Sequence, residues 1–168
     1  MDIAVRRLTE DDAEIFRAIR LEALEFHPET FQATYESAAD LPLDAFKQRL
    51  RQYALFGGFT DGKLRGFVGF YPLKNAKISH KGIMWGMYVA EDARGSGLAE
   101  AMVETVIDYA RDKVEQIIIS VIADNKRATR FYQKMGFEPY GYERRALKID
   151  GRYHDEEFRV RFLSEAPA

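Results

Sequence analysis

The sequence predicts a mixed α/β fold carried by a single domain, and three observations predict it. Apolar runs of strand length are interleaved with segments whose apolar residues recur at helical spacing. Two Asp-Gly dipeptides, Asp61-Gly62 and Asp150-Gly151, join strand-like runs and mark hairpins. At 168 residues the chain is long enough for one domain with a proper core, and it contains no repeat, low-complexity tract or linker. The expected domain therefore runs over 1–168.

Taken in order, Ile3 to Leu8 reads as a short strand. Thr9 follows as an N-cap with Asp12 three residues on, and Ile15, Phe16, Ile19, Ala23 and Phe26 recur at helical spacing. His27 to Leu43, broken by Pro28 and Pro42, reads as a loop or short helical turns. Asp44 to Tyr53 suits a further helix with Phe46 and Leu50 on one face. Leu55 to Thr60 and Leu64 to Tyr71 form the first hairpin. Lys81 to Val89, apolar on both faces, is the central strand. Leu98, Met102, Val103, Val106, Ile107 and Ala110 then trace one face of a helix. Ile117 to Ile122 is a buried strand, and Asn125 to Met135 a helix stopped by Gly136 at its C′ position. The second hairpin closes the chain, with Phe158, Val160 and Phe162 alternating.

Composition removes several function classes. Twenty-five basic side chains against 27 acidic ones leave a net charge of -2, with no basic excess to point to nucleic acid. No cysteine is present, which excludes disulfides, thiolate metal sites and cysteine nucleophiles. Met1-Asp2-Ile3 does not open a secretory signal, and no apolar run approaches the ~18 residues of a membrane span. A cytoplasmic protein without membrane, nucleic-acid or metal partners is expected.

The most informative segment is Arg94-Gly95-Ser96-Gly97-Leu98-Ala99, set between the central strand and a long amphipathic helix. A glycine loop opening a helix is an anion site, because the first-turn N–H groups lack helical partners and the dipole presents its positive end. Three designs compete with a plain tight turn. A P-loop needs Gly-Lys-Ser/Thr, and Gly97 is followed by Leu98. A dinucleotide fingerprint needs a third glycine where Glu100 stands, and an N-terminal βαβ series that is absent.

The third design is completed downstream by Asn125, Ala128, Tyr132 and Gly136-Phe137. With the loop, the pattern Asn-x-x-Ala-x-x-x-Tyr-x-x-x-Gly-Phe resembles the GCN5-related N-acetyltransferase (GNAT) family, and the order of elements matches over essentially the whole chain. The resemblance implies a central mixed, mostly antiparallel sheet of six to seven strands flanked by about four helices. It implies acetyl-CoA as cosubstrate, an amine acceptor and no metal. The pyrophosphate of coenzyme A suits backbone donors from Gly95, Ser96, Gly97, Leu98 and Ala99, with Arg94, Lys126 and Arg130 adding charge. The backbone of Met87, Tyr88 and Val89 would hold the pantetheine arm and the thioester carbonyl. Asn125 would bond the cofactor as well as cap its helix, and Tyr132 would protonate the leaving thiolate.

Some members place a glutamate on the central strand, but Gly82 to Val89 contains no carboxylate, so the base is unassigned. Candidates are Glu22 and Glu36, ahead of His80, His154 and Asp155. Acidic residues at Glu22, Glu29, Glu36, Asp155, Glu156 and Glu157 would suit a cationic acceptor, and are also what a solvated surface looks like, which is the preferred reading. Tyr35, Tyr88, Tyr140 and Tyr142 either line a pocket or pack. Three roles stay open: a transferase for a small-molecule amine, a transferase for a protein N-terminus or lysine, and a non-catalytic acyl-CoA sensor. An oxidoreductase of Rossmann type is a fourth reading that the resemblance disfavours. Sheet edges suggest a homodimer.

Overall fold

The computed structural model describes residues 1–165; the last three residues of the expected 1–168 domain lie outside the described residues. Seven strands form one sheet in the order β1-β2-β3-β4-β5-β7-β6. They are β1 (Ile3–Arg7), β2 (Ala54–Thr60), β3 (Lys63–Pro72), β4 (Lys81–Val89), β5 (Gln116–Ile122), β6 (Glu138–Ile149) and β7 (Arg152–Phe162). The helices are α1 (Ala13–Phe26), α2 (Tyr35–Ala39), α3 (Leu43–Gln52), α4 (Leu98–Ala110) and α5 (Lys126–Lys134). The sheet is mixed and mostly antiparallel, as expected. The short helical turns expected between His27 and Leu43 include α2, where Thr34 accepts the Ser37 N–H at 3.2 Å.

Packing divides the chain into two compact units, 1–71 with 86–106 and 72–85 with 107–168. In the first, β1 runs antiparallel to β2 from Ile3↔Thr60 to Arg7↔Phe56, and β2 turns into β3 through Asp61-Gly62. Both turn residues have positive φ, the geometry of a tight hairpin whose twist matches its strands. Phe16, Phe67, Leu55, Leu98 and Met102 are fully buried, and Phe16 meets Phe46 and Phe67 edge-on at 6.1 and 5.6 Å. Gly58 lets α4 approach the sheet: a Cβ there would lie 2.6 Å from Met102 Sδ. The α1 face differs from the expected one. Ala13, Phe16, Ile19, Arg20, Ala23 and Leu24 are buried, whereas Ile15 and Phe26 are exposed. The stripe is rotated so that an arginine enters the core.

In the second unit, β4 and β5 pair in parallel from Lys81↔Gln116 to Ile83↔Ile118. On its other edge β5 runs antiparallel to β7 along its whole length, from Gln116↔Phe162 to Ile122↔Glu156. Strand β6 pairs with β7 through the Asp150-Gly151 turn, with a register break between Glu143 and Leu147 that contains Arg145 at φ 55°. Met135 caps α5 and Gly136, at φ 85°, turns the chain into β6. Arg159 Nη1 donates to Phe137 O at 2.9 Å and Arg161 Nη1 to Met135 O at 2.7 Å, which pins that turn to β7.

Candidate active site

The first unit holds the glycine loop. Gly95 and Gly97 both take positive φ, 77° and 92°, which other L-residues adopt only with strain. A Cβ at Gly95 would meet nothing, so the space outside the loop is open to a ligand. Ser96 Oγ donates to Ala93 O at 2.7 Å and accepts the Leu98 N–H at 3.3 Å, which sets the loop's shape. Gly97 O accepts the Ala101 N–H at 3.0 Å as the first bond of α4. The Leu98 side chain is fully buried, so it serves as an anchor and only its backbone belongs to the loop; Ala99 is half-buried. The open loop at a helix N-terminus fits a pyrophosphate.

Ahead of the loop, Gly86 takes φ 67° inside β4, a kink in the strand. The Ala90 N–H donates to Arg65 O at 2.8 Å, and Tyr88 O lies against Gly66, both on the β3 side. Alternation along an antiparallel strand then turns the backbone groups of Met87 and Val89 away from β3. Val89 O is occupied by Arg94 Nε at 3.1 Å.

Arg94 is folded inward. Its Nη2 lies 2.6 Å from His27 Nε2, which must accept, so the ring proton sits on Nδ1, 3.6 Å from Glu29. His27 lies 5.9 Å from the Tyr88 ring, and the Tyr88 hydroxyl donates to Glu22 Oε1 at 2.8 Å. Burial, then the bond to Glu22, pushes the Tyr88 phenol well above its ordinary value. The structure thus brings Glu22, Tyr88, His27 and Arg94 together. Glu36 stands exposed in the first turn of α2, outside that group. The sequence reading passed over Arg20. Its signal is its spacing, four residues after Phe16 and three before Ala23 on the buried face. Burial, then the charge of Arg49, pulls its guanidinium down to about 10.

The second unit holds Asn125 and Tyr132. Asn125 Oδ1 caps α5 by accepting the Ala128 N–H at 3.1 Å, which leaves its amide N–H groups for another partner. Lys126 Nζ reaches back to Ala123 O at 3.1 Å. Arg130 is exposed and forms no ion pair or hydrogen bond among the described residues. Tyr132 is buried, with its ring edge-on to Phe131 and Phe137 at 5.2 and 5.8 Å. Its hydroxyl has no hydrogen bond among the described residues, and burial raises its pKa.

The remaining base candidates differ in state. Asp155 is saturated by the Arg145 N–H at 2.7 Å and the Tyr142 hydroxyl at 2.8 Å, and these bonds hold it below the usual carboxylate range. His154 is half-buried on β7 opposite Leu147, and His80 lies ahead of β4 with its carbonyl bonded to Glu115 N. Glu156, opposite Glu143 across the ladder, is raised by burial and by that neighbour's charge. Only strand pairing reveals this, so the sequence reading had it as a surface acid.

Residues 16–137 match the model of the acetyltransferase (GNAT) family. Among curated relatives, the chain is 28% identical to a mycothiol acetyltransferase of Rhodococcus jostii over 83% of its own length, spanning about half (47%) of that relative. It is 26% identical to a spermine/spermidine N(1)-acetyltransferase of Bacillus subtilis, covering 82% of this chain and 89% of the relative. Among solved structures, a GNAT acetyltransferase from Streptococcus pneumoniae superposes with a TM-score of 0.86 at 19% identity, over 96% of this chain and 99% of that one. The putative acetyltransferase yncA from Salmonella typhimurium, solved with acetyl-CoA, gives 0.80 at 18% identity, over 100% and 98%. These two likenesses are of fold. Fold, glycine loop and matched segment agree, and the chain belongs to the acetyltransferase (GNAT) family and carries its acetyltransferase domain.

Proposed function

We propose that the whole of 1–168 acts as one N-acetyltransferase domain that moves the acetyl group of acetyl-CoA to the primary amine of a small molecule. The observation that carries this is the open glycine loop, with positive φ at Gly95 and Gly97 where α4 begins. Backbone N–H groups of Gly95 to Ala99 take the pyrophosphate, with Arg130 and the Asn125 amide as further donors. Arg94 supports the loop from within through Val89 O and His27. Met87 and Val89 present backbone groups to the pantetheine arm and the thioester carbonyl.

Acetyl-CoA supplies an acyl group activated as a thioester. The chain's part is proton handling. An alkylamine is protonated near neutrality, with a pKa of about 10.4, and must lose a proton before it attacks. Glu22, held by Tyr88, is the base best supported by geometry. The new C–N bond forms as C–S breaks, the amine's second proton leaves to solvent, and Tyr132 gives its phenolic proton to the departing sulfur. Burial keeps the Tyr132 phenol protonated, so that a proton is in place when the thiolate develops, and solvent restores the phenol after the transfer.

The relatives named a mycothiol acetyltransferase and a spermine/spermidine N(1)-acetyltransferase support a small-molecule acceptor. Another relative is named a putative ribosomal N-acetyltransferase, which keeps a protein amine as the alternative. No described helix is long and apolar enough to cross a membrane; the site of action proposed with this reading is the cytoplasm, and the proposed assembly a homodimer that covers a sheet edge. The test is thiol release from acetyl-CoA with amines, polyamines, amino acids and peptides. Tyr132→Phe is expected to lower kcat by about 10²- to 10⁴-fold while changing acetyl-CoA affinity little. Unchanged turnover refutes the role of Tyr132, and tight acetyl-CoA binding with no release for any amine makes the protein a sensor.

A further inference from the structure

The least explained charged group in the molecule is Arg20. It is 7% exposed, on the buried stripe of α1. An arginine carries five N–H donors, yet no side-chain hydrogen bond of Arg20 exists among the described residues. Its Nη1 is wholly buried without a partner. No carboxylate among the described residues pairs with it: Glu22, two residues on, projects from another side of the helix and is taken by Tyr88. The charge nearest in effect is repulsive, that of Arg49. What surrounds the guanidinium is aromatic, with Phe31 at 4.9 Å and Phe67 at 5.9 Å from centroid to Cζ. Ring faces offset part of the desolvation of a cation and satisfy none of its N–H donors in full.

Its position is specific. Nη1 lies 3.9 Å from where a Cβ on Gly86 would stand, at the kink of β4 immediately before Met87. Nε and Nη2 are not among the fully buried unpartnered atoms, so the guanidinium keeps a narrow opening on that edge. A planar, forked cation reached through a narrow opening suits one planar anion.

We propose that Arg20 binds a carboxylate of the acceptor, so that the substrate is an amino acid or a close analogue with its amine on a carbon near the carboxylate. This rests on the acetyltransferase reading above, in which the thioester carbonyl lies along Met87 to Val89. The guanidinium approaches β4 at Gly86, one residue before Met87, and meets the acceptor through its Nε–Nη2 edge. A polyamine, cationic at every nitrogen, would instead meet a buried positive charge. Substrate class is thus where this chain departs from the polyamine acetylation named for its Bacillus relative.

Two measurements test this. In the first, thiol release is compared for amino acids and their matching amides, which lack the carboxylate charge, each at a pH that matches the fraction of free amine. The parent is expected to favour the acid at least tenfold in kcat/KM, about what one charge-assisted pair contributes. Arg20→Gln should erase that preference. Turnover of amides or polyamines as good as that of the acids overturns the inference and leaves the transferase reading intact. In the second, N-acetylated amino acids are titrated with thermal melting as readout, in the parent and in Arg20→Met. The acid is expected to stabilise the parent and not the variant, and the unliganded variant should melt at or above the parent temperature. This arm decides the carboxylate site even if no amine is turned over, a result that would refute only the transferase reading. Equal stabilisation of both proteins, or none of either, overturns the inference, as does an unliganded Arg20→Met protein that melts far below the parent.

Discussion

Two buried arginines, one in each compact unit, have opposite surroundings. Arg159 on β7 is 5% exposed, donates to Phe137 O at 2.9 Å and pairs with Glu157 at 3.1 Å. It ties the turn after α5 to the sheet, and its cost of desolvation is offset by bonds formed on folding. Arg20 on α1 is buried to nearly the same degree and has no such bonds. Removing a charge from water costs several kcal/mol when no partner replaces the solvent. A folded chain that leaves the Arg20 side chain without any bond among the described residues, while Arg159 keeps two and lacks a partner only at Nε, separates a charge that builds structure from one that awaits a ligand.

The comparison is sharpened first by deleting each cation. Arg159→Met leaves Glu157 and a buried carbonyl without their donor, and is expected to lower unfolding stability by about 3 kcal/mol in urea titration. The matching Arg20→Met should lose nothing or gain stability, because an unpaired charge is exchanged for an apolar chain of similar length. Equal losses would break the distinction. A smaller effect belongs to the loop: Gly95→Ala meets no atom but forces an alanine to φ 77°, for a loss of about 1 kcal/mol in the same titration. Smallest is Asn125→Ala, which removes the α5 cap at about 0.5–1 kcal/mol and also weakens acetyl-CoA binding in calorimetry if its amide donates to the cofactor. A stability loss there without a change in affinity would assign Asn125 to capping alone.

Local signals were legible because they are written in neighbouring residues. The two Asp-Gly hairpins, the α4 face and the Asn125 cap all formed where spacing placed them. The α1 stripe was misjudged at Ile15 and Phe26, since a periodicity built from apolar residues alone skips an arginine on the inner face. Glu156 was unreadable as a perturbed acid because its neighbour Glu143 is brought beside it only by strand pairing across a register break. Arg94 reads as a phosphate ligand from its place in the loop, and folding adds a partner that the sequence does not show, His27 at 2.6 Å from Nη2.

By itself the sequence determined the fold class, the glycine loop and the family, because backbone conformation at Gly95 and Gly97 and helix periodicity depend on residues close in the chain. Tertiary structure alone decided which distant polar groups meet: Glu22 with Tyr88, Arg94 with His27, and, among the described residues, no partner for Arg20. Pairing requires groups 66 or 67 positions apart, as for the first two, to meet out of water, and no local pattern encodes that encounter.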